Sequence, residues 1–441
     1  MKKLKSIYEM RTFLTLWAGQ SFSALGSAMT AYALVIWSYQ QKGSALATAL
    51  LMVSSYAPYV LLSIFAGTLS DRWNKKTTML LCDTVAAAIS LVILILLETA
   101  QLRLWHIYIL NAVSGLMNTV QQPASEVAVT KVLPPKYYQK VGGLRYLASS
   151  ANSILTPVIT TAFLGLFGIR AVIFFDLFTF VGAFLTLLLF VKIPEDTSLR
   201  EDKENFPDAV RHGLRWLKRE QGILHLMLFL AAINLVASMY NAAFPAMMLS
   251  REGGSEAVMG IVNTVIGAAT LAGSILAFVR KAPKNRIRLI YACLLFSMGT
   301  ENFLLAFGRN VWVWSLGGFL GWITIPLMNT NLDAILRSRV PETIQGRVYS
   351  VRNTLQFFTI PIGYFLGGFG VDVLCEPLME KQSSRFLTAL FGAGRGSGAA
   401  LFFFLLGFAG IAVCLFFRRD RAICAIPGEP PTAVLRTRRK N

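Results

Sequence analysis

Carboxylic acids interrupt the long apolar segments of this chain, and two of them could take up and release a proton. Asp176 lies near one end of such a segment, and Glu301 lies deep within another. Ionisable side chains in apolar segments are costly to bury and commonly mark an ion pathway. The alternative for both is a structural carboxylate that binds a neighbouring helix. Asp83 lies near a segment end, and Glu98 and Asp372 lie at segment edges, where we expect them to be solvated.

The charged stretch GTLSDRWNKK, which begins at Gly67, separates two of the apolar segments. Gly67 allows one helix end to approach another closely. Asp71 and Arg72 place opposite charges at the segment edge, and Lys75 and Lys76 hold the loop on one side of a membrane. These residues could form a conformational latch that breaks and re-forms as parts of the protein move. A basic loop that only anchors the topology is the alternative.

Charged residues of a later loop offer further parts for such a latch. Asp333 and Arg337 lie one helical turn apart and can pair on one face of a helix. Arg347 follows at the start of the next apolar segment. Each contact is worth only about 1 kcal/mol if exposed, which suits a latch that must open in every cycle.

Uncharged polar residues recur inside the apolar segments and could line a cavity for a solute. Amides donate and accept hydrogen bonds without a net charge, so they suit a neutral, amphipathic compound. Each amide could instead hold two helices together. The cavity candidates are Gln20, Asn111, Asn118, Asn234, Asn241 and Asn329.

Helices that cross a membrane must position these residues. Of 441 residues, 55% are hydrophobic and 15% are charged, whereas soluble domains are about 25% charged. The apolar runs are roughly 20 residues long, which a helix needs to cross a hydrocarbon core of about 30 Å. Each run is predicted to be helical because irregular backbone is not tolerated against lipid. The twelve predicted spans, numbered in chain order, are 12–38, 47–69, 77–97, 104–122, 143–166, 171–191, 223–247, 257–279, 288–307, 311–332, 345–371 and 397–417.

The basic residues lie mainly on one side of these spans. A net charge of +19 could suggest nucleic acid, but the 42 Lys and Arg residues punctuate the apolar runs and form no single patch. We therefore expect no nucleic-acid partner. On the side of the N-terminus lie 34 of the 42, and 8 lie on the other side. The positive-inside rule then places both termini in the cytoplasm.

One long polar segment divides the chain into two halves. We predict an N-terminal six-helix bundle at 1–191, a cytoplasmic linker at 192–222, a C-terminal six-helix bundle at 223–418 and a basic cytoplasmic tail at 419–441. The second part of the linker is either an amphipathic helix on the membrane or a solvated segment. The loops after spans 4 and 10 echo one another, PKYYQ against PETIQ, which supports an internal repeat.

Motifs for enzyme chemistry are absent from the sequence. It contains no H-E-x-x-H, P-loop or G-x-S-x-G, which argues against an enzyme and against a self-contained ATP-driven pump. Five cysteines show no C-x-x-C spacing, so we expect unpaired thiols and no metal site. No cofactor is predicted. No cleavable signal peptide is evident, because the first apolar run is too long for one.

The stretch that begins at Gly67, placed after the second of twelve apolar spans, resembles the loop 2–3 signature of the major facilitator superfamily. The resemblance implies an all-α membrane protein of two pseudo-symmetric six-helix bundles that transports by alternating access. It implies that Asp71 faces the start of span 11, where a helix N-terminus favours negative charge. It also implies a cavity lined by spans 1, 4, 7 and 10. The short N-terminus, this loop, Gly115 and the pair Pro123-Ala124 resemble the macrolide-efflux-like bacterial branch.

Two positions depart from the pattern of drug–proton antiporters. Those proteins carry an arginine in helix 4, four residues before a glycine, and here Asn111 stands at that place before Gly115. They also carry a Gly-Pro pair in helix 5, and here the pair is Thr156-Pro157. The coupling ion is therefore left open.

The expected function is proton-coupled export of small amphipathic compounds, drug-like or macrolide-like, across the bacterial plasma membrane. Its expected partners are the substrate, protons and membrane lipid, and the chain is expected to act as a monomer. One alternative is a transporter of lysophospholipid or another lipid from the same superfamily. An alternative of another class is a non-transporting membrane sensor, which should carry a signalling domain that no segment here is long enough to form.

Overall fold

The computed structural model describes residues 11–132, 138–191, 193, 214–281, 283–340, 345–381 and 385–426. All regular secondary structure within these ranges is helical. The predicted all-α fold is therefore confirmed.

Short capped turns separate the first spans of the N-terminal half. The Ser44 hydroxyl accepts a hydrogen bond from the Ala47 N–H at 3.0 Å and caps span 2. The Asn74 side chain accepts one from the Thr77 N–H at 2.9 Å and caps span 3. Such caps satisfy N–H groups that have no partner inside the helix. The helices of this half are Arg11–Lys42 (span 1), Ala45–Arg72 (span 2), Lys75–Glu98 (span 3), Leu104–Val132 (span 4) and Tyr138–Leu185 (spans 5 and 6), which continues as a π-helical segment at Thr186–Phe190.

Spans 5 and 6 are two helices that follow one another directly, with a turn at Gly168 between them. This residue has φ 76° and ψ 177°, a conformation that residues with a Cβ rarely adopt. A single glycine thus separates the two helices, which correspond to the two predicted spans.

The C-terminal half contains two interrupted spans. Span 10 breaks at Thr324, just before Pro326, and span 11 breaks at Phe358, before Pro361, because proline cannot donate the hydrogen bond of a helix interior. The helices are Gln221–Ser250 (span 7), Glu256–Val279 (span 8), Arg286–Phe307 (span 9), Val311–Ile323 and Ile325–Arg339 (span 10), Gln345–Phe357 and Thr359–Phe369 (span 11) and Ser397–Arg418 (span 12). Span 11 continues through a π-helical segment at Gly370–Cys375 into Glu376–Lys381, and short helices follow at Arg385–Phe391 and Arg421–Cys424.

Ten helical segments of the described ranges are long and apolar enough to cross a membrane. One of them, Ala148–Phe190, contains both span 5 and span 6. Leu104–Val132, the helix of span 4, is not among the ten, and it carries the polar residues Asn111, Asn118 and Gln121. When these two cases are taken into account, each of the twelve predicted spans is helical in the structure.

The packing of the helices follows the predicted repeat. In the N-terminal half span 2 packs against span 4, and span 3 packs against the stretch of spans 5 and 6. In the C-terminal half span 8 packs against span 10, and span 9 packs against span 12. Between the halves, span 2 packs against span 11, and the stretch of spans 5 and 6 packs against span 8. Adding six to a span number turns each N-terminal pair into a C-terminal pair, as expected for parallel repeats.

The two ends of the helical bundles are distinguished by the turns between their first spans. The Gly43 end holds the turn between spans 1 and 2, and the Trp73 end holds the turn between spans 2 and 3. Because successive spans run in opposite directions, the turn at Gly168 lies at the Gly43 end as well.

Glycines allow several spans to pack with their backbones in close proximity. A methyl group on Gly115 of span 4 would lie 2.1 Å from the carbonyl oxygen of Ser55 in span 2. A methyl group on Gly273 of span 8 would lie 2.1 Å from the carbonyl oxygen of Ile323 in span 10. Small residues at helix contacts are typical of membrane proteins, because association there depends on close packing.

We expect Gly115→Ala to destabilise the fold by about 1–3 kcal/mol, because the added methyl group must push spans 2 and 4 apart. Gly165→Ala is the matched control, since no heavy atom lies within 4 Å of the added methyl group there. Thermal unfolding of the purified variants in detergent measures the difference. Equal midpoints for the two variants would contradict the close contact at Gly115.

Candidate functional site

A polar cavity of ≈ 470 Å³ lies inside the N-terminal bundle. Spans 1, 3, 4 and 6 form its wall. Ala86, Leu177 and Phe180 contribute apolar surface to it. Its carboxylate, amide and hydroxyl groups come from Gln20, Ser23, Ser27, Asp83, Ser90, Ser114, Asn118, Gln121, Gln122, Ser125 and Asp176.

Asp83 of span 3 is buried in this wall and accepts hydrogen bonds from two amides. Gln20 Nε2 of span 1 donates to its Oδ2 at 3.0 Å, and Gln121 Nε2 of span 4 donates to its Oδ1 at 2.5 Å. Three spans therefore meet at one carboxylate. Asp83 was not predicted to have a role in the cavity. A usable signal was present, because Asp83 and Ser90 lie seven residues apart, on one face of a helix.

Asp176 of span 6 lies in the same cavity and is also buried. The Ser27 hydroxyl of span 1 donates to its Oδ1 at 3.1 Å, and the Ser90 hydroxyl of span 3 donates to its Oδ2 at 2.8 Å. Gly26 allows this approach, since a methyl group there would lie 3.1 Å from Asp176 Oδ1. Asp176 thus joins spans 1, 3 and 6.

The ionisable side chains that line the cavity are both acidic. Asp83 and Asp176 both lie in its wall, and none of the described residues that line it is basic. A negative charge inside a membrane is costly without a nearby positive charge. The cavity therefore favours a proton or another cation at these acids, and its amides and hydroxyls can bind neutral polar groups.

Glu301 lies elsewhere, inside the C-terminal bundle. Its Oε1 accepts hydrogen bonds from the Tyr240 hydroxyl of span 7 at 2.6 Å and from Trp322 Nε1 of span 10 at 3.0 Å. Glu301 is buried, and a methyl group on Gly321 would lie 2.2 Å from its Oε2. The contacts are those of a carboxylate that holds three spans together, which was the alternative considered for this residue.

Some of the amides predicted to line a cavity do so in the structure, and others lie elsewhere. Gln20 and Asn118 line the cavity of the N-terminal bundle. Asn111 Nδ2 donates to the carbonyl oxygen of Leu51 at 3.4 Å, and Asn234 Nδ2 donates to that of Gln356 at 3.0 Å. These two amides link spans 2 and 4 and spans 7 and 11. Asn241 is half-buried and Asn329 is exposed, and neither lies in the cavity wall.

Two lysines of the predicted latch bind the ends of neighbouring helices at the Trp73 end. Lys76 Nζ donates to the carbonyl oxygens of Leu188 at 2.9 Å and Val191 at 2.8 Å, at the end of span 6. Lys75 Nζ donates to the carbonyl oxygen of Trp73 at 2.9 Å. Carbonyls at a helix C-terminus favour positive charge, so Lys76 fastens the start of span 3 to the end of span 6.

The remaining positions of the predicted latch lie outside the residues whose side chains and surroundings the structure describes. They are Gly67, Asp71 and Arg72, in the last turns of span 2, and Arg337 and Arg347.

Asp333 of span 10 has an ion-pair partner in span 11. Arg352 Nη1 lies 3.5 Å from Asp333 Oδ1. The predicted partner was Arg337, on the same helix. The observed pair lies inside the C-terminal bundle, joins two of its spans, and is accessible to solvent.

Asp372 was expected to be solvated at a segment edge; it is half-buried and also binds the other bundle. Asp372 of span 11 accepts hydrogen bonds from the Ser44 hydroxyl at 2.6 Å, the Ala45 N–H at 3.0 Å and the Leu46 N–H at 2.9 Å. These donors form the first turn of span 2, in the other bundle. The contact was not predictable from spacing, because its partners lie more than 300 residues away in the chain.

Two bundles of helices that are long and apolar enough to cross a membrane define a multi-pass helical membrane protein. A family model of the Major Facilitator Superfamily matches residues 16–364. The chain belongs to the Major Facilitator Superfamily and is a multi-pass membrane transporter, not an enzyme. The family predicted from the loop after span 2 is thereby confirmed, and so is the two-bundle fold.

Similar proteins agree with this assignment. Macrolide efflux protein A of Streptococcus pyogenes is 23% identical over 364 residues, which cover 82% of this chain and 89% of that protein. The crystal structure of a POT family transporter superposes with a TM-score of 0.66 at 12% identity, over 92% of this chain and 95% of that one. A D-xylose–proton symporter gives 0.63 at 15% identity, over 94% and 98%. The structural similarities concern the fold alone, and the first relative agrees with the predicted macrolide-efflux-like branch.

We expect Glu301→Leu to lower thermal stability and Glu301→Gln to leave it nearly unchanged. Leucine leaves the Tyr240 hydroxyl and Trp322 Nε1 without an acceptor, at a cost of about 1–3 kcal/mol for each group. Glutamine keeps an acceptor oxygen at the same place. Thermal unfolding in detergent compares the two variants with the parent chain, and equal losses for both would contradict the structural role of the hydrogen bonds.

Proposed function

We propose that the chain exports small amphipathic compounds, of macrolide or similar drug type, in exchange for protons. The observation that carries the proposal is the cavity of ≈ 470 Å³, whose wall combines amides, hydroxyls and two carboxylates with the apolar Leu177 and Phe180. A wall of this mixed character suits a compound with polar and apolar parts. Similarity to macrolide efflux protein A supports the substrate class.

In this proposal the protein lies in the bacterial plasma membrane with its Trp73 end in the cytoplasm. The excess of basic residues on that side, 34 of 42, supports the orientation. Both termini then lie in the cytoplasm, and the Gly43 end faces the outside. The chain is proposed to act as a monomer.

Asp176 is the proposed proton carrier, with Asp83 beside it in the same cavity. Both acids bind only neutral donors among the contacts described, and each can hold a proton when no cation is near. A solute that enters the cavity changes the surroundings of both carboxylates, which links its binding to proton release. Glu301 is the less suitable candidate, since it lies outside this cavity.

Alternating access is the proposed transport mechanism. The bundles pack along spans 2 and 11 and along span 8 with the stretch of spans 5 and 6, so one bundle can rock against the other about these contacts. The charged stretch after span 2 is the proposed latch of the cytoplasmic end. It would hold that end closed in one state and release it in the other.

We expect cells that produce this chain to accumulate less of a radiolabelled macrolide than cells that lack it. Dissipating the proton gradient with an uncoupler should restore accumulation, because the exchange then loses its driving force. Export that persists unchanged with the uncoupler would overturn proton coupling. A susceptibility panel across antibiotic classes identifies the exported compounds, and full susceptibility to every class would overturn the substrate proposal.

We expect Asp176→Asn to abolish the response of export to a proton gradient, because asparagine cannot carry the proton. The effect should exceed tenfold in the initial rate in everted membrane vesicles, a magnitude typical of losing an essential proton carrier. Glu98→Gln is the control, since Glu98 pairs at the surface with Arg170 at 3.0 Å. Loss of coupling in Glu301→Gln, with normal coupling in Asp176→Asn, would assign the proton to Glu301 instead.

A further inference from the structure

We propose that Asp372 is the gate residue of the Gly43 end, which it closes by binding the N-terminus of span 2 from the opposite bundle. The inference rests on the alternating-access mechanism proposed above. It adds a second closing contact, at the end opposite to the charged stretch after span 2.

Among the described residues, the hydrogen bonds of Asp372 all cross the boundary between the bundles. Its three donors, Ser44 Oγ and the N–H groups of Ala45 and Leu46, all belong to span 2. The first N–H groups of a helix lack intrahelical partners, and the helix dipole adds positive potential there. A carboxylate at this place is therefore held by both hydrogen bonds and charge. Separation of the bundles must break all three contacts together.

The contact can break without leaving span 2 uncapped. The Ser44 hydroxyl accepts from the Ala47 N–H at 3.0 Å while it donates to Asp372. When Asp372 leaves, this cap stays in place, and water at the end of the helix can bind the released N–H groups. A reversible gate needs such a low cost of opening.

Span 11 approaches span 2 closely one turn before Asp372. A methyl group on Gly368 would lie 2.6 Å from the Leu46 Cα and 2.8 Å from the Ala49 Cβ. Asp372 itself lies in the π-helical segment Gly370–Cys375, and such widened turns recur at functional positions of helices. Close packing and a local change of helical geometry thus coincide at the proposed gate.

Contacts between spans 1 and 8 close the same end on the other side. The Gln40 side chain, at the end of span 1, binds Glu256 at the start of span 8. About two turns deeper, Asn263 Nδ2 donates to the Tyr32 hydroxyl at 3.2 Å. In the state that the structure represents, the Gly43 end is therefore closed across two pairs of spans.

Access to the boundary between the bundles from the Gly43 end tests the gate directly. Ala49 of span 2, which is buried beside Gly368 of span 11 about one turn inside the gate, is replaced by cysteine as a reporter and exposed to a membrane-impermeant maleimide in right-side-out vesicles. The same chain without the reporter corrects for the five native cysteines. Asp372→Asn should raise the labelling rate on the order of tenfold, because the loss of charge favours the open state. Asp372→Glu should restore most of the parental rate.

Matched variants distinguish an effect on the gate from a loss of the folded structure. Glu98→Gln removes a carboxylate at the same end that pairs within the N-terminal bundle, and its labelling rate should equal that of the parent. Ser44→Ala removes one donor, leaves Asp372 in place and should raise the rate less. A folded Asp372→Asn protein, judged by size-exclusion profile and thermal unfolding, that labels at the parental rate would overturn the inference. If labelling responds as expected and no compound is exported, the gate stands and the proposed substrate class fails.

Discussion

The arrangement of this transporter depends on how a carboxylate is accommodated inside a membrane. Asp83, Asp176 and Glu301 are all buried, and each is bound by neutral donors from two other spans. Leaving such a group without donors would cost several kcal/mol, so the spans that supply the donors cannot move independently of the spans that carry the acids. The acids therefore hold spans 1, 3, 4 and 6 together in one bundle and spans 7, 9 and 10 together in the other. Motion is left to the boundary between the bundles.

The two halves pack their helices in the same pairs, but the surroundings of their buried acids differ. The same pairs of spans pack in both halves, after a shift of six in number. In the N-terminal half the acids Asp83 and Asp176 face a cavity. In the C-terminal half Glu301 is enclosed by Tyr240, Trp322 and Gly321. The repeat thus accounts for the scaffold, while the groups that can meet a ligand in the described cavity come from one half.

Run length and charge predicted the spans well, because a membrane imposes a helix of fixed length on each apolar run. The sequence also identified Asp176, Gln20 and Asn118, which the structure places in one cavity. It could not distinguish them from Asn111 and Asn234, whose amides bind backbone carbonyls. That choice depends on which residues neighbouring spans bring close. The partners of buried polar groups lie 60 or more residues away in these cases, and no local pattern specifies them.

The turn at Gly168 has a practical consequence for mapping which side of the membrane each segment faces. Spans 5 and 6 are joined there without an extended loop, and the glycine has a backbone conformation that other residues resist. An epitope or protease site inserted at this position would force the two helices apart and disturb the protein that it is meant to report on. The turn after Glu98 is the better place for such a reporter, because a non-helical segment separates spans 3 and 4 there.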